Sequence, residues 1–170
     1  MALAKLALKQ LQSYCKKQHQ SAQGKSDKWV FDQAIDDFRI QVKVTDFDRF
    51  SFVMESLFVE KLTGEAGART LIKKQAEFLK SKLTYLLENI EIFEIDEVNS
   101  KAQLRSDKPE TEQTSLSYYE IVIDGGARIT LHRVLFDKLK REKSSTQFHL
   151  TNEVIEKAMN DFVMALQMNP

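Results

Sequence analysis

The sequence predicts an α+β protein, a mainly antiparallel sheet of about six strands built from hairpins and flanked by N-terminal, central and C-terminal helices. Three observations carry this. Apolar residues alternate with polar ones from Phe38 onward, two β-rich runs meet at Asp124-Gly125-Gly126, and three other stretches space their apolar residues at helical steps of three and four. Short turns between successive strands force antiparallel pairing, which separates this class from the parallel sheets that bind nucleotides.

The first helix spans Ala2 to about Gln20, with Leu3, Leu6, Ala7, Leu11, Tyr14 and Cys15 on one stripe. Five lysines, Lys5, Lys9, Lys16, Lys17 and Lys25, precede Asp27 without a single acid. The helix is therefore cationic, and Lys5, Lys9, Lys16 and Lys17 are the candidate surface for an anionic partner. Its plain alternative is a peripheral helix with solvated lysines. Residues 21–28, with Gly24 and small polar neighbours, read as a flexible joint.

Phe38, Ile40, Val42 and Val44 form the clearest half-buried strand, and Thr45 to Asp48 reads as a turn. The run Phe50 to Leu62 fits both periods, but its Phe, Val and Ser content favours a strand, so residues 37–61 are expected to be one long hairpin. A helix follows over about Ala66 to Leu87, with Thr63 or Glu65 as its cap. Ile90 to Asp96 and Lys101 to Arg105 make a second hairpin around Asn99-Ser100, and the segment 107–114, with Pro109, is expected to be an exposed loop. The hairpin from Ser117 to Phe136 comes next. Asp137 to Ser145 reads as a loop or short helical turn, and Thr151 caps a last helix to about Gln167.

The chain has 170 residues, enough for one domain with a real core, and equal numbers of basic and acidic residues leave no whole-chain field to hold it on nucleic acid. A lone cysteine, Cys15, cannot form an internal disulfide, and Lys5 and Lys9 interrupt the apolar run a secretory leader would need. The expectation is a soluble, cytoplasmic protein without a transmembrane segment.

Hairpin geometry defines a candidate ligand face. A two-residue turn within Asp124 to Gly126, whichever two residues form it, would place Tyr119, Ile121 and Ile123 on one side with Arg128, Thr130 and His132, whereas a three-residue loop would break that parity. A ledge of Tyr119, Arg128, Thr130 and His132 combines a cation, hydroxyls and an imidazole, suited to a polar or anionic ligand. Other clusters carry less. Asp46 and Asp48 fit a turn, while Glu91, Glu94, Asp96 and Glu97 fit a charged strand edge. The histidines His19, His132 and His149 have no metal-ligand spacing, and Cys15 lies on an apolar stripe, so no metal, cofactor or catalytic residue is expected.

The alternation of helices and hairpins is similar in outline to the small chaperones of secretion systems, which combine terminal helices with a curved antiparallel sheet. Those proteins are typically acidic and this chain is neutral, so the likeness implies a fold and no residue role. The functional expectation is a non-enzymatic binding or adaptor domain for protein partners or self-association, with eleven phenylalanines and five methionines as adhesive surface wherever some of them lie exposed. Its rivals are a ligand-binding protein or enzyme using the hairpin face, and a protein that docks on anionic surfaces through the first helix.

Overall fold

In a computed structural model, which describes residues 2–21, 28–63 and 69–169, three helices cover one face of a ten-stranded antiparallel sheet. In chain order these are α1 (Ala2–Ser21), β1 (Trp29–Ile35), β2 (Phe38–Phe47), β3 (Ser51–Lys61), α2 (Arg69–Lys82), β4 (Ile90–Asp96), β5 (Lys101–Ser106), β6 (Glu110–Thr111), β7 (Ser115–Asp124), β8 (Arg128–Asp137), β9 (Glu142–Thr146), β10 (Phe148–Thr151) and α3 (Asn152–Leu166). The class and the helix positions agree with the sequence reading, and the strand count exceeds it. Seven strands run β1-β2-β3-β8-β7-β5-β4 across the sheet, and β10, β9 and β6 pair with β3, β8 and β7.

The extra strands escaped pattern reading for identifiable reasons. In β1 the buried residues are Trp29, Phe31 and Ile35, but exposed Gln33 interrupts the alternation. β9 is Glu-Lys-Ser-Ser-Thr with no buried residue, so the expected loop at 137–145 is instead a turn, capped by the Asp137 carboxylate, that leads into a strand. Pairing with the long strand β8 makes it a strand, not its own composition. The loop at 107–114 likewise contains β6.

The ambiguous run 50–62 is strand, and its ambiguity has a structural origin. Val44 pairs with Met54 while Lys43 pairs with Ser56, so Glu55 bulges out of the ladder. The core positions Phe52, Met54, Leu57 and Val59 therefore include one step of three, which imitates a helix. β2 runs on through Phe47, so the turn expected at Thr45 to Asp48 lies later, at 48–50, where Asp48 opens it by accepting from the amides of Phe50 at 2.6 Å and Ser51 at 2.8 Å. α2 ends at Lys82, before the expected Leu87, although Leu83 and Leu86 remain buried in the turns that follow. The expected caps and joint fall largely outside the described residues, at 22–27 and 64–68.

One apolar core unites the helix-side face of the sheet with all three helices. α3 lies against β3 and between the other two, touching α1 on one flank and α2 on the other. Its start is fixed by Thr151 accepting from the Val154 amide, and Glu153 in the first turn suits the positive end of the helix. Beyond the apolar cover, Arg133 on β8 remains buried, bonded to Glu88 at 2.7 Å, Glu110 at 3.0 Å and the Ser117 hydroxyl at 3.1 Å. Burying such a charge requires this full set of partners.

The hairpin β7–β8 decides which residues reach that core. Asp124 pairs with Arg128, leaving three residues in the loop, so odd positions of both strands face the helices and even positions face away. Leu131→Ala should therefore cost about 2–5 kcal/mol, whereas Thr130→Ala should cost less than about 1 kcal/mol. Urea unfolding of the two variants checks the assignment.

Candidate functional site

The sheet face turned away from the helices carries the chemistry. On it stand Tyr118, Glu120 and Val122 of β7, Arg128, Thr130 and His132 of β8, and Gln103 and Arg105 of β5. Glu120 is only 9% exposed although no helix covers it. Arg105 supplies the cover: its guanidinium lies 3.8 Å from the centre of the Phe93 ring and 5.4 Å from that of Tyr118. Such stacking favours arginine, whose flat cation is weakly hydrated.

Arg105 Nε donates to one Glu120 oxygen at 2.6 Å and Nη2 donates to Gln103 at 3.0 Å. The other Glu120 oxygen lies 3.1 Å from His132 Nε2. Bonding to the imidazole, then to the guanidinium, outweighs burial and holds this carboxyl below the usual glutamate range. His132, Glu120 and Arg105 thus form a closed polar row across three strands.

Beside this row lies a groove of about 440 Å³. Ile92, Phe93, Pro109, Leu116, Tyr118 and Phe136 line it, with Arg105 and Lys143 as its cations. Its two acids are engaged elsewhere: Glu91 pairs with Lys80 at 2.6 Å, and Asp107 accepts from Asn89 at 3.1 Å. Phe93 stands 59% exposed. The β4 bulge between Ile92 and Glu94 turns it onto an edge that otherwise presents Glu91, Glu94 and Asp96.

The three-residue loop corrects the expected ledge. Arg128, Thr130 and His132 share the open face, but Tyr119 points to the helix side, where it packs edge-on against Phe148 and under the Arg133 guanidinium. Its amide donates to the Ser106 hydroxyl, which in turn donates to Glu88. A two-residue turn would have kept Tyr119 on the side of Arg128. A β-turn does close between Asp124 and Ala127, but Ala127 adds one residue before the strand resumes. Arg128 is tied to Glu60 at 2.9 Å and lies 3.7 Å from Asp124. None of Tyr119, Arg128, Thr130 or His132 lines the groove.

Lys5, Lys9, Lys16 and Lys17 are all exposed on α1. Lys9 and Lys17 border a cleft against Phe31 and Gln33 of β1, while Lys16 lies near Phe47, Asp48 and Arg49. Cys15 is fully buried, and burial pushes its thiol up to about 12, so it stays protonated. Among the described residues no group of three His, Cys, Asp or Glu side chains could hold a metal, and no helix is long and apolar enough to cross a membrane.

Sequence reasoning missed Phe93, Arg105, Leu116, Phe136 and Lys143 because the groove is assembled across β4, β5, β7, β8 and β9. The one signal available was Phe93, an aromatic inside an otherwise acidic edge strand. Compared with known proteins, the chain matches no family model, no curated protein and no solved structure.

A depressed carboxyl pKa stabilises the folded state above the unfolded value, about 4.3, and that contribution is lost as pH falls through the folded value. Glu120→Gln removes it. The stability gap between the parent and Glu120→Gln, read by urea unfolding, should be full at pH 7 and shrink on acidification below about pH 4.3.

Proposed function

We propose that this protein is a non-enzymatic binding module, and that its open sheet face receives a protein partner whose apolar side chains seat in the groove beside Phe93. The observation that supports this most is Phe93 itself, largely exposed at the mouth of an apolar groove and backed by a stacked, pinned arginine. Exposed aromatics over a firm base are where binding energy concentrates in protein interfaces.

The neighbouring polar groups favour recognition over chemistry. Both Glu120 oxygens are engaged by Arg105 and His132, and Arg128 is engaged by Glu60, so these side chains stiffen the face. A ligand pocket on the 118–133 hairpin is the weaker reading, since Tyr119 lies on the opposite side from Arg128, Thr130 and His132. A cytoplasmic address belongs to the same proposal, supported by a buried, unpaired Cys15.

The test compares the full chain with its Phe93→Asp variant, both immobilised and exposed to extract of the source cell. A partner held by the parent should be lost from Phe93→Asp, and once purified should bind the variant about 30-fold more weakly or worse. Equal retention of every bound protein by the variant would refute the groove as the docking site.

A further inference from the structure

The two ends of the sheet are finished differently. β4 carries a bulge and the acids Glu91, Glu94 and Asp96, the devices that keep an edge strand from pairing with other chains. β1, at the other end, has no bulge and a single acid, Asp32, whose carboxylate is already neutralised by Arg39. All seven of its residues pair with β2 in unbroken register, it contains no proline or lysine, and among the described residues no strand pairs with its outer side. Its one charged residue, Asp32, is turned inward along the open face, accepting from Arg39 at 2.6 and 2.8 Å and from Gln41 at 3.1 Å. Val30, on that same face, is 46% exposed.

On the helix side this edge is bordered by cations. Lys9 and Lys17, with Gln10, Ser13 and Tyr14 between them, face Phe31 and Gln33 across a cleft. α1 has no acidic residue, and neither lysine has an ion-pair partner among the described residues. A strand added to β1 would point alternate side chains toward these lysines and the others toward Val30 and Ala34. A second copy of β1 fits badly, because it would bring a second lysine-rich α1 close to the first.

We propose that the β1 edge accepts an extended acidic segment of another protein by strand addition, with carboxylates at every second position facing Lys9 and Lys17 and small apolar residues between them facing Val30. The backbone ladder supplies affinity and the lysines supply choice of partner. This surface is separate from the groove at β4–β9, so the protein would join two ligands at opposite ends of one sheet.

The probe is the peptide acetyl-Glu-Val-Glu-Val-Glu-Val-Glu-amide, titrated into the isotope-labelled full chain and followed by amide NMR. Shifts should concentrate in residues 29–35 and 9–17, and slower hydrogen exchange should appear along β1. Binding should weaken by about ten-fold or more in the double variant Lys9→Glu, Lys17→Glu, whose exposed positions leave the core untouched, and should vanish when alternate peptide nitrogens are methylated. The lysine counterpart of the peptide should not bind. Equal binding of the lysine or methylated peptide, shifts elsewhere, or a concentration-dependent dimer that accounts for the β1 shifts would overturn the proposal. None of these outcomes depends on Phe93, so the groove reading stands or falls separately.

Discussion

The register of the β7–β8 hairpin is the constraint on which the rest of this structure depends. Asp124 opposite Arg128 puts Ile121, Ile123, Ile129 and Leu131 under the helices and Glu120, Thr130 and His132 on the other face. A slip of one residue in either strand would turn one of these sets over. The loop is held from several directions: Gly125 donates to Ser100 at 2.8 Å, Lys61 donates to Ala127 at 2.8 Å, and the buried Gln75 amide donates to Gly126 at 3.0 Å and Ala165 at 3.1 Å. Gly125 and Gly126, with φ of 60° and 69°, supply the left-handed backbone the turn needs. A loop tip is thereby fastened to β3, to the β4–β5 turn and to two helices.

Two charge clusters on opposite sides of the sheet serve different ends. Arg133 with Glu88 and Glu110 ties the end of the helical layer to β6, β7 and β8, and its buried cation is stable only with that full complement. Arg105 with Glu120 and His132 lies on the helix-free face and stiffens a surface that would otherwise be a solvated ladder of side chains. Rigidity there lowers the ordering cost of binding, which is why a groove flanked by pinned side chains makes a better docking site than a mobile one.

The fold was legible where local pattern and tertiary environment agree. Phe38 to Val44 alternates because one side of β2 lies under the helices, and α3 shows its stripe because it lies against the sheet. Legibility failed where neighbours decide: β9 has no buried residue, and β1 loses its alternation at Gln33. The strand at 50–62 was legible from residue type even though the Glu55 bulge breaks its period. The α1 lysines were legible as an uncompensated run, but their position beside an open strand edge was not. For the open face, the residue types at 128, 130 and 132 were correctly grouped, and a single residue in the loop, Ala127, moved Tyr119 to the other side. The groove residues were invisible because strands distant in sequence bring them together.

Cross-strand contacts between backbone Hα protons in NMR test this register directly. With Asp124 opposite Arg128, each such contact between β7 and β8 joins residues of equal parity, Ile121 with Leu131 or Glu120 with His132. Contacts joining Ile121 with Thr130, or Glu120 with Leu131, would contradict it, since the core and the open face would then exchange members.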